Sequence, residues 1–100
     1  MDIKQKKDGK KLTVIVSGRI DTSTAPDFEA YVKQNLGDCT SLEFDFKEVN
    51  YVSSAGLRVL LSMQKKMSKI GDMKLTNVSE SVADVFEVTG FDEILTYEKG

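Results

Sequence analysis

Residues 42–61 read LEFDFKEVNYVSSAGLRVLL. The stretch changes its period partway. Leu42, Phe44 and Phe46 alternate with Glu43 and Asp45, the two-residue repeat of a half-buried strand. "KEVN" reads as a short loop, and "YV" leads into Ser53 and Ser54. From Ala55 to Ile70 the pattern is helical: Leu60, Met63, Met67 and Ile70 form one stripe, flanked by Leu57 and Val59, and Gly71 ends it. A strand feeding a long amphipathic helix is the building block of an α/β fold.

The flanks repeat that unit. "KLTVIVSGRI", residues 11–20, is a strand rich in β-branched Val14, Ile15 and Val16, with Gly18 at its end or at a bulge. Ile3 to Lys7 forms a polar strand before it, and Asp8-Gly9 signals the hairpin turn between them. "DTSTAPDF", residues 21–28, holds several candidate caps. Thr24 is the best placed, with Pro26 suited to the first turn, and Phe28, Tyr31, Val32 and Leu36 continue at helical spacing to Gly37. Beyond Gly71, "MKLTNV" is a strand. "SESVADVFEVTG" is a helix capped by Ser79 and closed by Gly90, and "EILTYE" is a closing strand. The expected order is β-β-α-β-α-β-α-β: one α/β domain over residues 1–100, with a mixed, mostly parallel sheet packed against helices.

Composition narrows the function. In 100 residues there is no histidine, so Ser-His-Asp and Cys-His catalysis are closed to this chain, as are the usual histidine metal sites. Cys39 is the only cysteine, which excludes an internal disulfide and a zinc-type cysteine cluster. A net charge of −2 argues against direct nucleic-acid binding. No apolar run approaches the ~20 residues that span a bilayer, and the lysine-rich start lacks the apolar core of a signal peptide. A cytoplasmic location, no membrane partner and no cofactor are expected.

The two serines pose the question of function. A serine ahead of a helix caps free backbone N–H groups, which accounts for one of them. Gly56 so early in a helix costs roughly 0.5–1 kcal/mol relative to alanine. Either open access to the backbone or close helix–sheet packing would offset that cost. A helix N-terminus bordered by small residues favours an anion, so a phosphate carried by a serine hydroxyl would sit there without unfolding the domain. A cap and a phosphoserine site both fit. A nucleotide cradle does not, since "SSAG" lacks the following Gly-Lys-Ser/Thr.

"GRIDTSTA" at residues 18–25, followed by "LEFDFKEVNYVSSAGLRVLL" and "VFEVTGFDEIL", resembles the STAS family of sulfate-transporter and anti-sigma-factor-antagonist domains, over essentially the whole chain. A free-standing domain this short is most similar to the bacterial anti-sigma factor antagonists. In that family the central stretch usually reads Asp-Ser-Ser/Thr/Ala-Gly-Leu-Gly. The resemblance implies Ser54 as the phosphorylated residue, with Ser53 standing where an acidic residue is usual and Arg58 replacing a common glycine. It implies a partner-binding set of Asp21, Ser53, Ser54, Ala55, Gly56, Leu57 and Arg58, with Asp45 at a polar position on the strand before them. It also implies partner switching. The unmodified protein binds a serine kinase that doubles as the anti-sigma factor and so frees a sigma factor. Phosphorylation by that kinase releases the antagonist, and a PP2C-type phosphatase resets it. Such a chain is a binder and a substrate, not an enzyme.

Each of these residues also has a plainer reading. Asp21 can begin a turn or cap a helix, and Asp45 can be a solvated or hydrogen-bonded carboxylate. Arg58 can be a surface residue, or can pair with a phosphate on Ser54 one turn away. Met63 and Met67 fit core packing, and Lys65, Lys66 and Lys69 fit a solvated face. Two rival functions remain open: a non-catalytic STAS subunit of a lipid-transport or stress-signalling complex, and an enzyme using Ser54 as nucleophile with a lysine or carboxylate base.

Overall fold

The computed structural model describes all residues, Met1–Gly100. Its elements are β1 (Asp2–Asp8), β2 (Lys11–Ile20), α1 (Ala25–Leu36), β3 (Ser41–Val52), α2 (Ser54–Ile70), β4 (Asp72–Val78), α3 (Glu80–Thr89), a 3-10 turn (Phe91–Glu93) and β5 (Tyr97–Lys99). The five strands lie in the order β1-β2-β3-β4-β5. β1 pairs with β2 antiparallel, and the remaining pairs are parallel. Parallel crossovers are right-handed as a rule, and three that step in one direction place all three helices on the same side of the sheet. The strands record that asymmetry. Leu12, Val14, Val16, Phe44, Phe46 and Leu75 are buried beneath the helices, while Thr13, Glu43, Asp45, Lys74 and Thr76 point to the other side and are only half-buried. One polar face explains why these parallel strands alternate instead of reading as continuous apolar runs.

Twenty-six buried residues form a single core cluster, with no buried polar side chain. Phe28, Phe44 and Phe46 pack within it at tilted angles, with ring centroids 5.3 Å apart for Phe28–Phe44 and 6.1 Å for Phe44–Phe46. Leu57, Leu60, Met63 and Met67 seat α2 on this core, as the helical stripe implied. Ile70, expected on that stripe, ends the helix 48% exposed.

Two segments depart from expectation. "KEVN" is not a loop: β3 runs on to Val52. Past Phe46 only every third residue, Val49 and Val52, is buried, so the two-residue alternation disappears while the ladder continues. β3 carries an extra residue at each of two register shifts against β2, opposite Ile15–Ser17 and opposite Gly18–Arg19. At the other end, "EILTYE" is strand only from Tyr97. Gly90, at φ 80°, closes α3 in the left-handed region, and Leu95 donates its N–H to Phe91 O within the turn that follows. Leu95 thus fills the core from a turn, at 4% exposure, and Ile94 faces out.

Candidate functional site

The long β3 delivers the chain to the same end of the sheet as the end of β2. Arg19 pairs with Tyr51 and Ile20 with Val52 across the parallel ladder. Ser53 follows at once, and its N–H donates to Ile20 O at 2.8 Å. That bond holds the start of α2 against the end of β2.

Ser53 is the N-cap. It has extended backbone angles, and its Oγ accepts from the Gly56 N–H at 3.3 Å. Its carbonyl accepts from Leu57 N–H at 2.9 Å, the first intrahelical bond. Ser54 is therefore the first residue of α2; its side chain is exposed and takes no part in the cap. The two serines do different things, and only the second leaves its hydroxyl free.

Gly56 is explained by packing rather than by access. A Cβ at this position would lie 2.7 Å from Ile20 Cγ2 and 3.0 Å from both Ile20 O and Val52 Cγ1. The helix sits on the strand ends too closely for any side chain. Gly56 and Leu57, expected in the partner-binding set, are both buried, so they seat the helix and present no surface. Ala55 is half-buried against the core, and Arg58 is exposed. The accessible part of the set is Asp21, Ser53, Ser54, Arg58 and the edge of Ala55.

Asp21 organises the turn between β2 and α1. Its Oδ1 accepts from Ser23 N–H at 3.0 Å, Ser23 Oγ at 2.8 Å and Thr24 N–H at 3.1 Å, and its carbonyl accepts from Ala25 N–H at 2.8 Å. The Ser23 hydroxyl, with the Thr24 and Ser23 N–H groups, holds the Asp21 carboxyl below the usual aspartate range. Thr24, expected as the helix cap, makes no side-chain bond to α1. Its Oγ1 accepts from Asp21 N–H at 2.8 Å and donates to Arg19 O at 2.8 Å. The Asp21 carboxylate fixes the turn ahead of α1 through the Ser23 and Thr24 N–H groups, the threonine hydroxyl faces the strand, and the helix starts without a side-chain cap.

Arg19 and Tyr51 carry no sequence signal of their own, yet they form a built feature beside the serines. The guanidinium carbon lies 4.2 Å from the Tyr51 ring centroid, and Nε lies 3.7 Å from Asp21 Oδ2. Tyr51 remains 40% exposed. Only the parallel register brings these residues together, and the two bulges hide that register from the sequence. Asp45 does not join the site. Seven residues of extended strand, about 20 Å, separate it from Val52. Its Oδ1 accepts from Lys47 N–H at 3.0 Å and Asn77 Nδ2 at 3.1 Å.

No group of three or more acidic, cysteine or histidine side chains is placed to hold a metal ion. No helix is long and apolar enough to cross a membrane. The Asp21 carboxylate, the one carboxylate of the partner-binding set, is committed to the Ser23 and Thr24 donors, which weakens the nucleophile reading of Ser54.

Known proteins share this architecture. The family model described as STAS domain matches residues 2–99. The anti-sigma-B factor antagonist of Bacillus subtilis (strain 168) is 30% identical over 96 residues, covering 95% of this chain and 86% of the relative. Among solved structures, an anti-sigma factor antagonist from Mycobacterium paratuberculosis superposes with a TM-score of 0.87 at 23% identity, over 99% of this chain and 86% of that one. The Bacillus cell fate determinant SpoIIAA in its phosphorylated form gives 0.74 at 16% identity, over 98% and 92%. These two structural likenesses are of fold.

Proposed function

The chain belongs to the STAS domain family, and on that premise we propose that it is an anti-sigma factor antagonist that switches partners through phosphorylation of Ser54. The observation that carries this is the division between the serines: Ser53 caps α2, and Ser54 stands exposed with its hydroxyl uncommitted. The name of the Bacillus subtilis relative supports the class of function. SpoIIAA, solved in a phosphorylated form, supports a phosphorylated state on this fold.

In this reading the unmodified chain docks its α2 start and Asp21 turn on an anti-sigma serine kinase in the cytoplasm. The kinase transfers the γ-phosphoryl group of ATP to Ser54 Oγ; the hydroxyl proton leaves and ADP remains. The product carries about −1.5 to −2 charges at one point of the docking surface. A loss of ~3 kcal/mol in binding corresponds to roughly a hundredfold in affinity. The fold survives, because a first-turn anion at a helix N-terminus is stabilising and the cap is on another residue. A PP2C-type phosphatase restores the hydroxyl. The chain acts as binder and substrate, not as an enzyme.

The test is intact-mass analysis of the protein from its own cells, with the modified residue mapped before and after phosphatase treatment. One phosphoryl group on Ser54, removed by the phosphatase, is the expected result. With the kinase in hand, Ser54→Ala stays bound when ATP is added, while Ser54→Asp binds poorly yet melts at the parent temperature. Release of Ser54→Ala by ATP would rule the site out. A complex indifferent to ATP would instead favour a constitutive STAS subunit, a reading that the serine at position 53, in place of the usual acidic residue, keeps in play.

A further inference from the structure

Ser54 opens α2, and Arg58 follows one helical turn later, so their side chains share a face of the helix. Both are exposed. None of the six ion pairs in the protein includes Arg58. The first turn of α2 has no acidic residue to balance it. Asp27 and Glu80 open the neighbouring helices α1 and α3 at this end. Next to Ser53 in the ladder, Arg19 and Asp21 flank Ile20, whose carbonyl accepts from Ser53 N–H. They are occupied with each other, and Arg19 also with Tyr51. Arg58 is thus the guanidinium at this end left without a partner.

We propose that Arg58 is the counter-charge of a phosphate on Ser54: on modification its guanidinium pairs with the phosphate oxygens within α2. The inference rests on Ser54 being the modified residue. A planar guanidinium presents two parallel N–H donors that match phosphate oxygens, and a spacing of four residues brings them within reach. The consequence concerns how the switch works. The unmodified surface offers a partner a free hydroxyl and a free positive charge. The modified surface offers neither, because each is taken by the other. Release then follows from withdrawal of a cationic contact as well as from the added negative charge.

The experiment uses the full chain with phosphoserine installed at position 54 during synthesis, so no kinase is needed. The probe is the second ionisation of that phosphate, followed by phosphorus NMR across its titration near pH ~6. With Arg58 present the midpoint lies about half a unit below that in Arg58→Gln, and high salt of about 1 M closes the gap. Circular dichroism confirms that both chains are folded. Equal midpoints in the two chains would overturn the proposal. So would a depressed midpoint that survives in Arg58→Gln but is lost in Arg19→Gln, since Arg19 would then be the partner. The outcome is separable from that of the function itself. A chain never phosphorylated in cells would sink the antagonist reading and leave the titration result standing. Equal midpoints would sink the pair and leave release by ATP untouched.

Discussion

Gly56→Ala is the substitution that best tests the geometry of the site. On helix propensity alone alanine gains up to ~1 kcal/mol. The structure reverses the sign. The new methyl would meet Ile20 Cγ2 at 2.7 Å and Ile20 O and Val52 Cγ1 at 3.0 Å. None of these is the free end of a flexible chain. Both side-chain carbons sit on β-branched residues whose χ1 is stiff, and the oxygen already accepts from Ser53 N–H at 2.8 Å. Relief requires α2 to move off the strand ends, which also strains the bond that locates Ser53. Overpacking of this kind costs ~1–3 kcal/mol, and the stiff neighbours put this site in the upper half of that range, which leaves a net loss of about 1–2 kcal/mol after the propensity gain. For a domain of this length that lowers Tm by about 5–15 °C. Urea unfolding followed by circular dichroism reads it as a lower midpoint with an unchanged slope. A double-mutant cycle supplies the mechanism. In an Ile20→Ala background the closest contact is gone, so Gly56→Ala costs less, with a coupling of at least ~0.5 kcal/mol. A Gly56→Ala protein as stable as its parent, or a coupling of zero, would refute the close-packing account of this glycine.

Other outcomes follow from the same structure. Ser53→Ala removes the acceptor of Gly56 N–H and lowers stability by ~1 kcal/mol in urea titration, whereas Ser53→Asp, also a good cap, stays close to the parent. The depressed Asp21 carboxyl contributes stability that is complete above its unfolded pKa of about 3.9 and is lost as pH falls through its lower folded value. Urea midpoints measured from neutral pH down to strong acid will therefore show parent and Asp21→Asn converging below pH ~4. Phe86→Ala empties a site that is 0% exposed, with the Tyr97 ring 5.1 Å away, and costs ~3–5 kcal/mol by thermal melting. Val88→Asp on the same helix, at 87% exposure, changes stability by no more than ~0.5 kcal/mol.

The element order was legible because each period was strong where it mattered. Leu42 to Phe46 alternate and Leu60 to Met67 keep a helical stripe, and both are buried as read. The misreadings have physical causes. At Lys47 to Asn50 the sheet continues through bulges that replace a two-residue repeat with a three-residue one, so a strand looked like a loop. Ile94-Leu95 looked like a strand because both residues are apolar, but only Leu95 needed burial, and a turn could supply it. Thr24 looked like the cap because it precedes Pro26, but its hydroxyl is taken by Asp21 N–H and Arg19 O, and α1 starts without a side-chain cap. Of the candidate site, Ser54 and Arg58 are exposed and Asp21 and Ser53 half-buried. Gly56 and Leu57 share the motif with them for a structural reason, and no linear pattern separates the two roles. Arg19 and Tyr51 stayed invisible because 32 positions separate them and only the register joins them.

The paired serines follow from that closeness. Because Ile20 and Val52 press on Gly56, the start of α2 cannot shift outward or inward without loss, and the cap must hold it in place. Ser53 does so with both its N–H and its Oγ. A bulky charged group on that residue would compete with the Gly56 N–H for the same oxygen. On Ser54 it competes with nothing, since that side chain lies outside the cap and in solvent. Separating the hydroxyl that fastens the helix from the one that is free lets charge change at the surface while the backbone beneath stays fixed. A switch that works by altering affinity alone, without refolding, requires that separation.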